Sequence, residues 1–167
     1  MPFIFLPDPE SKTMTPDIDA RLIELGITLP TPATPIGNFV PCVQSGNTLY
    51  VSGQVPRVDG KLAFVGKVGS DITADEAKEA ARVCALAILS IVKAHLGTLN
   101  CVRKFCMVQG FVNAIPDFTD HPAVINGASD LLVQLFGDNG KHARFALGAG
   151  SLPGNVAVEI AAIIEVD

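Results

Sequence analysis

Apolar residues recur along this chain with a spacing that changes from segment to segment, and each change marks a new element. Between Phe39 and Pro56, β-branched and aromatic residues gather into two short runs around Ser45-Gly46-Asn47, and TLYVSG has the composition of a strand after a turn. Asp59-Gly60 tolerates the positive φ angles of a tight turn, so it joins a strand ending near Val58 to KLAFVGKVG as a hairpin.

A helical period begins at Thr73. Thr73-Ala74-Asp75-Glu76 has the form of a capping box, in which the threonine hydroxyl accepts from the third backbone N–H and the glutamate reaches back. Ala80, Val83, Ala87, Ile91 and Ala94 follow at three- and four-residue steps, and Gly97 stands where a left-handed cap belongs. From 101 to 114 the period shortens to two, with Val102, Lys104, Cys106 and Val108 opposite Arg103, Phe105 and Met107. Pro116-Asp117 ends that strand. A second helix is expected over 121–136, with Pro122 in its first turn and Gly137 at its close, and two last strands over about 143–149 and 156–166.

The resulting order, βββαβαββ, predicts an α/β (α+β) layer: a mixed sheet with both helices on one face. The last strand, VAVEIAAIIEV, is apolar at nearly every position, so the other face also needs a cover and self-association is expected. Residues 1–36 read as an N-terminal extension and 37–167 as the domain. Residues 1–15 look irregular; Thr15 can cap and Pro16 begin a short helix, DIDARLIELG, with Ile18, Leu22 and Leu25 on one face and Gly26 at its end. Pro30, Pro32 and Pro35 make a stiff connector.

Composition narrows the function classes. With 167 residues, 49% hydrophobic and 17% charged, the chain can bury one core. Its net charge of −5 gives no general attraction to phosphate backbones, and its longest basic cluster is Arg103-Lys104, so nucleic acid is a poor partner. MPFIFLPDPE lacks a basic leader region, and no long apolar run suggests a membrane span; the chain reads as cytoplasmic. Cys42, Cys84, Cys101 and Cys106 form no C-x-x-C pair and read as reduced, structural residues. His95, His121 and His142 have no metal-ligand spacing, so no metal is expected. GKLAFVGK resembles a phosphate loop only superficially, having the wrong glycine spacing and Val68 after the lysine.

The candidate chemistry centres on Arg144, a lone fixed charge in the apolar stretch HARFALGAGSLPGNVAVEIAAIIEV. A guanidinium offers a planar fork of donors that fits a carboxylate, so a small carboxylate-bearing metabolite is the expected partner. The plainer alternative is an incidental surface ion pair, worth about 0–1 kcal/mol. His142, two residues earlier, lies on the same side of a regular strand and could bind an anion or titrate near neutrality.

Several segments taken together, GNTLYVSGQVP, the helix over 73–97, FVNAIPDF, Asn126 and HARFALGAGSLPGNVAVEI, resemble the Rid family, also called YjgF-like or L-PSP proteins, over residues 37–166. The resemblance implies a chorismate-mutase-like fold assembled as a homotrimeric barrel with ligand clefts between subunits. It also implies hydrolysis of 2-imino or 2-aminoacrylate acids to 2-keto acids and ammonia without a cofactor. Within it, Arg144 matches the carboxylate clamp, the Ala146 backbone carbonyl the group facing the imine nitrogen, and Ser52 and Asn126 residues of the cleft. Ser52 has a second reading as a hydroxyl bonded to nearby backbone, and Asn126 as a helix-start cap.

Two positions depart from the family pattern. Phe39 stands in place of a tyrosine, keeping an apolar wall without the phenolic donor, and Ala161 replaces the glutamate that orients the attacking water. Glu159 and Glu165 share the Ala161 face at about 7 and about 13 Å along the strand, so Glu159 is the nearer substitute. Three functions therefore compete: a deaminase, a non-catalytic carboxylate-binding module, and an endoribonuclease, a label some relatives carry and one the acidic charge fits poorly.

Overall fold

The last strand organises the molecule. In the computed structural model, which describes residues 16–167, β7 (Val158–Val166) buries Val158, Ile160, Ala162, Ile164 and Val166 on one side and turns Glu159, Ala161 and Ile163 to the other. It lies at the centre of a five-stranded sheet with β1 (Cys42–Ser45), β2 (Thr48–Gln54), β5 (Val102–Asn113) and β6 (Ala143–Ala149), in the order β1-β2-β7-β5-β6. Only β5 and β6 pair in parallel; every other pair is antiparallel. The hairpin of β3 (Arg57–Val58) and β4 (Lys61–Leu62) turns at Asp59-Gly60 as expected, but forms a separate two-stranded sheet.

Helices α2 (Ala74–Leu96) and α3 (His121–Phe136) cover one face of the sheet. The capping box is formed, with Thr73 Oγ1 accepting from the Glu76 N–H and Glu76 accepting from the Thr73 N–H, and Gly97 ends α2 at φ 83°. The buried side of α2 runs through Ala77, Ala81, Cys84, Ile88 and Leu89 and is broader than the predicted stripe; Ala94 is exposed. Leu49, Phe105, Val108, Ile125, Ile160 and Ile164 fill the layer between helices and sheet, where each large side chain contributes roughly 1.5–3 kcal/mol of burial. Gly127 makes the helix crossing possible, since a Cβ there would run into the Lys78 backbone carbonyl of α2.

The predicted parity of β5 is corrected by the structure. Phe105 and Val108 are buried while Lys104 and Cys106 are exposed, because the register slips between Val102 and Lys104 and again between Phe105 and Met107. Each bulge inserts an unpaired residue and flips the alternation after it. Cys84 alone of the cysteines is buried.

A short helix, α1 (Ile18–Glu24), starts at Asp17, whose carboxylate accepts from the Ala20 N–H. The expected Thr15 cap and the irregular arm over 1–15 lie outside the described residues. Ile18 and Leu22 bury against the main core, Leu25 is 39% exposed, and Asn100 Oδ1 accepts from the Ile18 N–H at 2.7 Å. Among the described residues no helix is long and apolar enough to cross a membrane.

The face opposite the helices has no cover from the described residues. Register aligns Tyr50 with Ile163, Ile163 with Met107, Gln109 with Phe145 and Phe111 with Leu147, so these share one side. Tyr50 is 48% and Leu147 50% exposed, and Phe111 meets Phe145 edge to face at 5.6 Å.

Candidate functional site

Arg144 sits on β6, the strand at the sheet margin, where its register opposite Val108 turns it toward the helical side. Ala146, opposite Gly110, shares that side. Gly110 lets α3 approach closely, since a Cβ there would stand 2.6 Å from the Ile125 side chain. The next residue of α3, Asn126, thereby reaches the strand: Arg144 Nη1 donates to Asn126 Oδ1 at 2.8 Å and to Ser129 Oγ at 3.1 Å. Asn126 and Ser129 are three apart and so lie on one helix face. Asn126 is inside α3, so the helix-start reading does not hold; the cap position is Asp120.

Both partners of Arg144 are neutral. Among the described residues the guanidinium, partly buried, forms no ion pair, and its bonds use one terminal nitrogen only. Nη2 and Nε make no hydrogen bond to the described residues, and that edge of the fork has the shape that takes a carboxylate. His142 lies behind this pair: its Nε2 is 2.9 Å from Ser129 Oγ and its Nδ1 is 2.6 Å from the Gly140 carbonyl. Burial, reinforced by the Arg144 charge and opposed by the Gly140 bond, holds this imidazole below its ordinary pKa.

A second group of expected residues lies on the open face. A hollow of about 490 Å³ is lined by Gly53, Phe111, Ala149, Ser151, Glu159 and Ala161, among others. Glu159 is half-buried there, and burial raises its carboxyl above the ordinary range. Gly53 makes room for it, because a Cβ at that position would overlap the Glu159 carboxylate. The β2 register slips between Val51 and Gln54, where a bulge re-aims Ser52 and Gly53. Ser52 Oγ donates to the Val40 carbonyl at 2.8 Å, and Phe39, 54% exposed, borders an adjoining hollow with Pro41, Gly53 and Gln54. At the rim, Lys67 Nζ donates at 2.8 Å both to Asn113 Oδ1 and to the Gly150 carbonyl, while Asn113 Nδ2 donates to Asn155 Oδ1 at 3.0 Å. That network ties the end of β5 to the loop after β6.

Within one chain, then, the structure brings Asn126, His142, Arg144 and Ala146 together, and separately gathers Phe39, Ser52, Glu159 and Ala161. The groups occupy opposite sides of one sheet. Arg144 also lies five residues before Ala149, or about 16 Å along β6 from the hollow's edge. Sequence reading missed Ser129, although Asn126-x-x-Ser129 is a helical spacing that sets two polar side chains side by side. Among the described residues no cluster of three or more His, Cys, Asp or Glu gathers tightly enough for a metal ion.

Comparison with known proteins bears on this geometry. The sequence model of a family described as "YjgF/chorismate mutase-like, putative endoribonuclease" matches residues 19–165. Protein TCP17 of Trypanosoma cruzi is 43% identical over 151 residues, 90% of this chain and 94% of that protein. A 2-iminobutanoate/2-iminopropanoate deaminase of Dermatophagoides farinae is 29% identical over 141 residues, 84% of this chain and 95% of that protein. A crystal structure from Agrobacterium tumefaciens, of a protein with unknown function, superposes with a TM-score of 0.84 at 49% identity, covering 90% of this chain and 92% of that one.

Proposed function

The chain belongs to the YjgF/chorismate mutase-like family, and from that premise we propose that it hydrolyses reactive 2-enamine and 2-imine acids to 2-keto acids and ammonia in clefts between copies of itself. The observation that carries this reading is the Arg144 guanidinium, held by two neutral side chains with one edge of its fork free. A fixed charge so placed costs less when an external carboxylate completes it. Similarity to the Dermatophagoides farinae deaminase supplies the reaction class.

In this scheme Arg144 grips the substrate carboxylate and the Ala146 carbonyl accepts an N–H of the iminium, fixing the reacting carbon between them. An enamine substrate first takes a proton at C3. Water then adds to C2 to give a carbinolamine, the nitrogen leaves as ammonia with the transferred proton, and C2 keeps the oxygen as a ketone. Ala161 cannot orient that water. Glu159 of a neighbouring copy is the candidate, since burial moves its carboxyl toward the range where it exchanges protons. Assembly as a homotrimer would set the Arg144 group of one copy against the Glu159 group of the next and cover the open apolar face.

Ammonia and keto-acid release from freshly generated 2-aminoacrylate tests this reading. Wild type should outpace Arg144→Ala by at least an order of magnitude, and equal rates would sink it. The methyl of Ala161 favours one other reading, a module that binds 2-keto acids without turnover; calorimetric binding of pyruvate, abolished by Arg144→Ala with no catalysis, would mark it. An RNA-cleaving role has the net charge of −5 against it.

A further inference from the structure

The hydrogen bonds behind Arg144 have a direction that chemistry dictates. A guanidinium can only donate, so Ser129 Oγ accepts from Arg144 Nη1 at 3.1 Å. A carbonyl can only accept, so at 2.6 Å from Gly140 it is His142 Nδ1 that carries the proton. A neutral imidazole then has a bare Nε2, which accepts a hydrogen bond from the Ser129 hydroxyl at 2.9 Å. The chain runs one way from Arg144 through Ser129 and His142 to the Gly140 backbone, and Asn126 holds the same terminal nitrogen from the side.

We propose that Ser129 and His142 are positioning residues for Arg144, which fix the roll of its guanidinium so that the free edge faces the substrate carboxylate, and that this requires His142 to remain a neutral acceptor. The proposal rests on the reading of Arg144 as the clamp. Its physical basis is that an arginine side chain has several rotatable bonds, so an unfixed fork gives up entropy on each binding event. Buttressing it through a helix and the backbone of a turn removes that cost in advance. A second proton on His142 would aim an N–H at a hydroxyl already accepting from a cation and would set two positive groups against one serine.

Other charges around His142 are already paired. Lys141 and Asp138 of the preceding turn bond each other at 2.7 Å, and Asp130 of α3 lies 3.5 Å from Lys78. Arg144 is the charged group that acts on His142. The turn itself is built for the purpose: Gly140 is buried, and a Cβ there would collide with the Leu132 backbone of α3, which keeps its carbonyl close under the ring.

The test uses the full-length chain labelled with 15N at histidine and arginine side chains, with pyruvate as the probe. Expected are an Nδ1-protonated tautomer for His142 near neutral pH, and distinct Arg144 terminal-nitrogen resonances that merge in Ser129→Ala. Pyruvate affinity should fall about 3- to 10-fold in Ser129→Ala, the range for one lost hydrogen bond, and return in Ser129→Thr. An Nε2-protonated His142, or a Ser129→Ala protein with unchanged arginine resonances and affinity, would overturn the proposal. A wild type with the expected tautomer and resonances that binds no pyruvate would support the positioning role and overturn the clamp reading instead.

Discussion

Arg144 of the marginal strand β6 and Asn126 of α3 are joined at 2.8 Å across the seam between sheet and helix, so the orientation of the guanidinium depends on how α3 lies on the sheet. That seam is set by small residues. Gly110 beneath Ile125 and Gly127 against Lys78 fix the height of α3 and hence the reach of Asn126.

Asn126→Asp should turn a neutral partner into an internal counter-ion. The new carboxylate would occupy Arg144 itself, and pyruvate affinity should fall about 10- to 100-fold, matching a charged hydrogen bond of about 1.5–3 kcal/mol, without loss of thermal stability. Calorimetry beside a melting curve separates the two effects.

Ala161→Glu should restore a carboxylate opposite Gln109 on the open face. If water orientation limits turnover, kcat for imine hydrolysis should rise about tenfold or more, a fraction of the 10²–10⁴ typical of general-base catalysis, with little change in KM. The companion Glu159→Gln should lower kcat in the Ala161 background; an unaffected kcat would remove Glu159 from the scheme.

Gly127→Ala should destabilise the fold by about 1–3 kcal/mol, because the added methyl meets backbone and the two helices must separate to admit it. Urea unfolding would measure this, and an unchanged midpoint would show that the crossing can relax.

Two half-buried groups bend the stability curve in opposite directions. The folded His142 binds its proton more weakly than in the unfolded chain, so it lowers stability as pH falls through its ordinary value of 6.5 and is neutral in effect above it. Glu159 is held above its ordinary value of 4.5, so it favours the fold at low pH and loses that advantage as pH rises through the raised value. His142→Gln should flatten the fall in stability below pH 6.5, read by urea midpoints across that window, and Glu159→Gln the change above pH 4.5.

If the chain assembles as proposed, Ile163→Glu, aligned with Tyr50 and Met107 in the middle of the open face, should dissociate the trimer into monomers in light-scattering chromatography and abolish the proposed turnover with it. A variant that remains trimeric would mean that another surface makes the assembly.

How much of this could be read from the chain varies with the locality of the signal. The helix over 121–136 and the Thr73–Glu76 cap were legible because Pro122, Gly137 and the cap residues act within one turn. The fate of Phe105 was not, since a bulge arises from pairing with β7, which no local pattern in CVRKFCM records. Arg144 stood out as a charge amid apolar neighbours, whereas Ser129 carries no such contrast and gains meaning only when α3 is laid over β6. The separation of Arg144 from Glu159 was likewise hidden, because strand order and the side each strand presents are properties of the assembled sheet.

Strand β6 has a sheet neighbour on one side only among the described residues, so alternate backbone donors and acceptors along Ala143–Ala149 point away from β5. An unaccompanied chain would therefore expose a ready template for any extended peptide beside its most valuable arginine. If the proposed assembly were weakened, that edge would make the protein prone to pairing into fibres.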